Sequence, residues 1–443
     1  MTELKKDLTS FGLTMLVIGT LIGSGIFLTP SQIAGHLSSP YIILLTWGIG
    51  GFIALSGALS FAELGSMFPK TGGVYVYLRE AYGPLAGFMF GWASFTVVLT
   101  GVLAALVIAC TNYISFLIHL SPTAKTLTAI AIVIFITFIN ILRVKIAEMF
   151  TIFFTSMKLV GIFSIIVIGF IWGSKDVFNQ SVAHSSSSNS SLGLISGIGL
   201  ALIGVMWSLG GWQHVTYLSG EARNPQKDIP KAIVLGVLVV LFVYMLTNVS
   251  YMRLMPLQAI VASDSIAADA VSTTFPFGGT AIAVIIVFSI IATIFIYTLA
   301  TPRIYFAMAK DGLFFKTMTK VHPRHHTPVN AIIIQSLWVI LLILVWGNFE
   351  AVVTYVVFVG WSFVMITALT VIVFRIKRPD APRPFKTIGY PVTTLVFALA
   401  LFLFVVNILI HNPLYSGVGV AIIVSGLPFY YYFKRKKSRS DAQ

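Results

Sequence analysis

Three features of this 443-residue sequence carry residue types able to hold a small charged molecule. The first is Gly23-Ser24-Gly25, set among apolar residues in Leu21-Ile22-Gly23-Ser24-Gly25-Ile26-Phe27. The second is Ser208-Leu209-Gly210-Gly211-Trp212, about halfway along. The third is Lys158, an ammonium inside the apolar run Phe154-Thr155-Ser156-Met157-Lys158-Leu159-Val160. Glycine lowers helix propensity and leaves backbone groups approachable, so each glycine-rich stretch marks a helix break. At a break the first fragment ends in unpartnered carbonyls and the second begins with unpartnered amides, and the macrodipoles make these ends negative and positive. A carboxylate fits the amides near Ser24, Gly25 and Ile26. An ammonium one carbon away fits carbonyls near residues 20–22 and, from the second break, residues 207–209. The candidate binding set is therefore Ile22, Gly23, Ser24, Gly25, Ile26, Trp207, Ser208, Leu209 and Gly210. Trp207 and Trp212 flank the second break, where a ring could close over a bound molecule as a lid; membrane tryptophans also simply pack or sit at interfaces.

Burying Lys158 at bilayer depth costs on the order of 2.5–3.5 kcal/mol, so it needs a partner. Glu63 and Glu148 fall near span ends, which leaves backbone carbonyls, and the broken first span supplies them. An ammonium there occupies the position a sodium ion takes in coupled transporters, which makes Lys158 a gating or coupling residue; the plainer alternative is a lysine snorkelling to the surface. His214 lies within a span without a carboxylate or second histidine at ligand spacing, and a satisfied packing histidine is the favoured reading. His322, His325 and His326 sit in a basic, proline-containing loop, read as solvated. Cys110, the single cysteine, reads as a small buried hydrophobe. No metal site and no cofactor is expected.

The elements that must position these groups are membrane helices. The chain is 57% hydrophobic and 9% charged, with a mean hydropathy of +0.95. Apolar stretch after apolar stretch reaches the roughly 20 residues a bilayer requires. Twelve spans are expected, at residues 9–37, 41–68, 84–119, 127–142, 147–172, 192–219, 232–254, 277–308, 329–346, 352–374, 390–410 and 415–433. The first is too long for a cleavable signal peptide, lacks a small-residue cleavage site and runs on into similar spans. The net charge of +14 could suggest nucleic acid, but its placement rejects that. Threaded through twelve spans, the positives fall almost entirely on one side, while the opposite loops hold only Lys125, Lys175 and Arg253 against Asp176, Asp264, Asp269 and Glu350. This is the positive-inside pattern, and it puts both termini in the cytoplasm. Residues 173–191, ending in a serine-rich run, read as a flexible external loop; Asn179-Gln180-Ser181 and Asn189-Ser190-Ser191 match the glycosylation acceptor pattern.

The breaks fall in spans one and six, which cross in opposite directions. That parity suits an inverted repeat of spans 1–5 (about 9–172) and 6–10 (about 192–374), with spans 11 and 12 (about 390–433) appended, in one transmembrane domain covering 1–443. Glycine-rich motifs also serve close helix packing. Two breaks at matched places in opposed spans favour instead a substrate site in a secondary transporter.

Several segments resemble the amino acid–polyamine–organocation superfamily, and within it the L-amino-acid transporter family. They are Gly19-Thr20-Leu21-Ile22-Gly23-Ser24-Gly25-Ile26-Phe27, Ala62-Glu63-Leu64 with Pro69-Lys70-Thr71-Gly72-Gly73-Val74-Tyr75-Val76-Tyr77, Gly210-Gly211-Trp212, Glu221-Ala222-Arg223-Asn224-Pro225 with Ile229-Pro230-Lys231-Ala232-Ile233, Val243-Tyr244-Met245-Leu246-Thr247-Asn248, and Pro302-Arg303 through Asp311-Gly312. The resemblance implies the leucine-transporter fold, a 5+5 inverted repeat with discontinuous helices 1 and 6, and sodium-independent amino acid transport, usually by obligatory exchange, as in bacterial exchangers of alanine, serine, cysteine or threonine. By match to the motif it assigns Gly23, Ser24 and Gly25 to the carboxylate, Trp207, Ser208 and Leu209 to the amine side and gate, Lys158 to the family's fifth-span lysine, and Tyr244 to its seventh-span tyrosine beside the first break. Animal relatives often have phenylalanine at Trp207, followed by Ala-Tyr; Trp207-Ser208-Leu209 departs from that. Animal members also bond a single-span partner through a cysteine between spans three and four. Residues 119–125 have none, so no disulfide-linked heavy subunit is expected.

The expected function is exchange of small or medium neutral L-amino acids across the plasma membrane, with membrane lipid as the other partner. No deep acid is available for a cationic side chain, and a Lys158 neutralised by carbonyls offers little to an acidic one. The nearest alternative is proton-coupled uptake with Lys158 in the coupling role. An intramembrane enzyme is more distant, since it needs a convergent acid–base pair or metal cluster that the sequence does not offer.

Overall fold

A backbone at bilayer depth must satisfy its own hydrogen bonds, so a chain of this hydropathy has helix as its available solution. The computed structural model describes residues 4–23, 25–37, 39–178, 191–263, 265–345, 349–411 and 413–441. Among them all regular structure is helical, apart from one isolated parallel bridge between Leu8 and Ala222. The exposed side chains of the long helices are themselves large and apolar, for example Phe135, Phe163, Leu399 and Leu403, which is the surface chemistry of a protein bathed in lipid.

The first expected span is two helices, α1 (Ser10–Leu21) and α2 (Gly25–His36), whose axes diverge by 41°. There follow α3 (Pro40–Met67), the short α4 (Val74–Tyr82), and α5 (Pro84–Ala93), which runs through a π-helical turn at Ser94–Val98 into α6 (Leu99–Ile118). Next come α7 (Pro122–Ile141) and α8 (Val144–Trp172). The sixth span is again two pieces: α9 (Ser191–Ser208), then a 3-10 helix at Trp212–Glu221. α10 (Pro225–Leu254) leads through the small outer helices α11 (Leu257–Val261) and α12 (Ile266–Ser272) to α13 (Gly278–Ala300), which Pro302 restarts as α14 (Pro302–Lys310). Another 3-10 turn at Lys316–Thr319 precedes α15 (Val329–Val345), and α16 (Phe349–Lys377), α17 (Val392–His411) and α18 (Pro413–Asp441) complete the chain.

Ten helical segments among the described residues are long and apolar enough to cross a bilayer, and the bent α1–α2 pair would make an eleventh. The one remaining expected span corresponds to α15, which is apolar but only 17 residues long. The fourth span is longer than the hydropathy suggested, because Ser121 caps α7 by accepting the Ala124 N–H and Pro122 starts the helix at its first turn. Asn179, Asn189 and most of the serine-rich loop lie outside the described residues.

The broken spans pair crosswise. α1 packs on the 3-10 helix Trp212–Glu221, whereas α2 packs on α9; α8, α10 and α13 enclose α1 from behind. One end of the bundle, where the basic loops converge, is closed by ion pairs. Glu221 and Arg303, both wholly buried, form a two-pronged pair at 2.7 and 3.0 Å. Glu63 holds Arg375 at 2.7 Å and also accepts the Thr387 backbone N–H. Glu148 pairs with Lys145 at 2.7 Å and accepts the Thr9 N–H at 2.9 Å, tying the start of α1 to α8. Leu8 exchanges backbone hydrogen bonds with Glu221 and Arg223 at the same end.

Candidate functional site

Of the described residues, the first break leaves Ile22 and Gly23 between α1 and α2, and the second leaves Leu209, Gly210 and Gly211 between α9 and the 3-10 helix. Gly211 has φ +110°, a left-handed value that favours glycine, where the chain leaves α9 and enters the 3-10 helix. Gly25 answers a different need. A Cβ there would lie 2.6 Å from Ser208 Oγ and 2.8 Å from Ser208 Cα, so the two breaks touch only because this position has no side chain. Thr29 of α2 and Ser208 of α9 add a hydroxyl–hydroxyl hydrogen bond of 2.8 Å across the same contact.

Behind the first break stands Lys158, 1% exposed. Its ammonium donates to Gly19 O at 2.8 Å, Ile22 O at 2.6 Å and Thr293 Oγ1 at 2.8 Å. An ammonium has three hydrogens, and all three are used. The carbonyls of the broken span are thus its partners, joined by Thr293 of α13, which the sequence did not single out. Tyr244, fully buried on α10, donates its hydroxyl to Leu21 O at 2.8 Å. Tyr251, two turns on, reaches Ile26 O at 3.4 Å.

These bonds decide which carbonyls remain for a bound ammonium. Ile22 O accepts from both Lys158 and Ser289, and Leu21 O from both Tyr244 and the Gly23 N–H. A carbonyl has two lone pairs, so both oxygens are saturated. Within residues 20–22 the carbonyl without a donor among the described residues is that of Thr20, beside the cavity.

That cavity, about 140 Å³, lies where the breaks meet. Of the expected binding residues, Gly23, Gly25, Trp207, Ser208 and Gly210 line it. Ile22, Ile26 and Leu209 have wholly buried side chains that do not, and Ser24 lies outside the described residues. Lys158 and Tyr244 stand behind the break rather than on the cavity wall. Trp207 is 36% exposed and borders the space, as a lid must, whereas Trp212 is 1% exposed and packs edge-on against Phe61 at 4.9 Å. Trp212 is core.

Residues the sequence did not bring forward complete the wall. The apolar sides come from Phe90, Val98, Leu99 and Val102 and from the α16 face around Trp361. Gln213, His214 and Tyr217 of the 3-10 helix and Tyr297 of α13 add polar groups. Here the sequence reading of His214 is corrected. It is 2% exposed, but its Nδ1 has no hydrogen-bond partner among the described residues, and the ring borders the cavity. At the far loop, His322 Nδ1 accepts the Arg324 and His325 backbone N–H groups at 3.2 Å each, a turn-forming role. No cluster of three or more His, Cys, Asp or Glu placed for a metal occurs among the described residues.

The arrangement is a pocket walled by two backbone breaks and backed by a neutralised cation, and the sequence that builds it is similar to those of other chains. The amino acid permease family model matches residues 8–431. The b(0,+)-type amino acid transporter 1 of Mus musculus is 30% identical over 437 residues, covering 98% of this chain and 88% of that one. The Asc-type amino acid transporter 1 of Mus musculus is 29% identical, covering 97% and 81%, and the large neutral amino acids transporter small subunit 2 of Homo sapiens is 29% identical, covering 97% and 80%. These relatives are transporters and not enzymes. With its helical architecture and its two broken spans, this chain belongs to the amino acid permease family, in its L-amino-acid transporter branch.

Proposed function

We propose that this amino acid transporter is a sodium-independent exchanger of small or medium neutral L-amino acids, working by alternating access in the plasma membrane with both termini in the cytoplasm. The observation that carries the reading is the Lys158 ammonium, bonded to Gly19 O, Ile22 O and Thr293 Oγ1 behind the first break. A covalently attached cation sits where a mobile one would otherwise neutralise those carbonyls. The twelve-span, 5+5 inverted-repeat topology is part of the proposal: the crosswise pairing of α1 with the 3-10 helix and of α2 with α9 supports it.

The substrate carboxylate takes the amides that open α2, at Gly25 and Ile26, with Ser24, which lies outside the described residues, as the third expected donor. The ammonium takes the Thr20 carbonyl and the carbonyl end of α9, near residues 207–209, with Trp207 as the lid. The cavity of about 140 Å³ suits a substrate of few heavy atoms, since an engineered cavity of about 150 Å³ holds benzene. Alanine, serine and cysteine are of that size. Cys110, 0% exposed within α6, and a cysteine-free α6–α7 connection support function without a disulfide-linked heavy subunit.

Purified protein in liposomes loaded with labelled alanine should release label when unlabelled alanine or serine is added outside, at equal rates in sodium and potassium buffers. Release of the same size into substrate-free buffer would refute exchange. Proton-coupled uptake, with Lys158 carrying the proton, is the alternative. Against it stands the use of all three ammonium hydrogens, because a neutral amine would leave one acceptor without a donor. Accumulation into substrate-free vesicles driven by outside acidification would establish that alternative instead.

A further inference from the structure

The zwitterion accounts for the backbone groups at the two breaks, but it leaves polar side chains on the cavity wall without a task. His214 is the clearest. The ring lies 4.4 Å from that of Tyr297 and 5.4 Å from that of Tyr217, and Nδ1 is buried without a partner among the described residues. Tyr297, one turn along α13 from the Thr293 that serves Lys158, is half-buried and borders the same space, where its hydroxyl can both donate and accept. Gln213 accepts the Gly211 N–H at 3.2 Å through Oε1, which leaves its NH₂ end as a donor without an acceptor among the described residues. Three side chains with acceptor and donor capacity thus line the cavity from the 3-10 helix and α13, while Phe90, Val98, Leu99, Val102 and Trp361 line it with apolar surface. Burying such groups unpaired is unfavourable unless something supplies the missing bonds.

We propose that His214, Tyr297 and Gln213 form a side-chain subsite for an uncharged hydrogen-bonding group on the transported amino acid, a hydroxyl above all. A hydroxyl donates to one partner and accepts from another at once, which is what an imidazole nitrogen and a phenol or carboxamide N–H present together. A charged side chain does not fit, since no carboxylate lines the cavity and Lys158 is fully engaged behind the break. A site with built-in polar partners rejects an isostere that lacks the matching group, because its own groups are then left unpaired. The proposal rests on the reading of the cavity as the amino acid site.

Threonine and valine have nearly the same shape and differ by a hydroxyl for a methyl, so they isolate the subsite. In proteoliposomes exchanging labelled alanine, the concentrations of threonine and of valine that halve the flux are measured for the wild type, His214→Phe, His214→Asn and Tyr297→Phe. The ratio is read within each protein, so overall rate does not enter. Threonine should compete about tenfold or more better than valine in the wild type, the discrimination of one well-made buried hydrogen bond. His214→Phe should bring the ratio close to one, Tyr297→Phe should lower it, and His214→Asn, which restores an acceptor, should keep most of it. Equal competition in the wild type overturns the proposal, as does a ratio unchanged in His214→Phe. Should His214→Phe fail to fold, an unchanged ratio in Tyr297→Phe overturns it equally, and it would leave a water molecule as the partner of His214. Failure of the amino acid reading looks different: no neutral amino acid would then exchange at all.

Discussion

Lys158 shows how one buried side chain can set the behaviour of a whole site. Replacing it with methionine leaves Gly19 O and the Thr293 hydroxyl without their donor at the back of the first break. Each unmade buried bond is worth about 1–3 kcal/mol, so the transport rate of Lys158→Met should fall about tenfold or more. A rate within twofold of the wild type would remove Lys158 from the mechanism. Tyr244→Phe is milder, because Leu21 O keeps the Gly23 N–H when the phenol is lost. A loss of about 0.5–1.5 kcal/mol weakens apparent substrate affinity roughly twofold to tenfold, visible in the concentration dependence of flux. Lys158 and Tyr244 were legible in the sequence, one as a lone charge at depth and the other through motif resemblance. Thr293 and Tyr297 were not. Both are ordinary residues of an apolar helix, and which face α13 turns to the break is a matter of tertiary packing. His214 was visible but misjudged, since a sequence does not tell whether a buried imidazole finds partners.

At the scale of elements, the contact between the two breaks depends on one missing side chain. Gly25→Ala places a methyl against the Ser208 backbone, so α2 and α9 must separate to admit it. Transport by this variant should be abolished while the protein still assembles in the membrane. Gly23 is the control for packing: a Cβ there meets only Thr293 Oγ1, at 3.9 Å, so Gly23→Ala should leave the thermal unfolding midpoint unchanged. A Gly25→Ala protein that transports normally would show that the breaks need not touch. The discontinuities themselves were readable from Gly-Ser-Gly and Ser-Leu-Gly-Gly. The short helices α4, α11 and α12 were not, because elements of 5 to 9 residues are too brief for hydropathy to mark.

Across the whole molecule, ion pairs gather at the end that carries the basic loops. Glu221→Gln leaves the wholly buried Arg303 without its carboxylate and should cost about 3–5 kcal/mol, seen as a lowered unfolding midpoint in detergent. Adding Arg303→Met should recover most of that loss; no recovery would mean that the pair is not what Glu221 stabilises. In the sequence both residues appear only as members of motif segments, Glu221–Pro225 and Pro302–Gly312, 82 residues apart, and nothing there says that they meet. Outside the spans, Glu80 of α4 supplies a pH test. Burial would raise its carboxyl pKa, but hydrogen bonds from Arg378 and Arg79 outweigh that and hold it below the usual carboxylate range. A depressed folded-state pKa contributes stability above the unfolded value, about 4.3, and that stability is lost as pH falls through the folded value. The wild type should therefore lose more stability than Glu80→Gln on acidification through that window, measured as the difference in unfolding midpoint. The cation behind the first break has one more consequence, an electrical one. Lys158 never leaves the protein, so a cycle that swaps one zwitterion for another carries no net charge across the membrane. A membrane potential, worth about 2.3 kcal/mol per charge per 100 mV, then neither drives nor opposes the swap, and a bilayer packed with working transporters should pass no current.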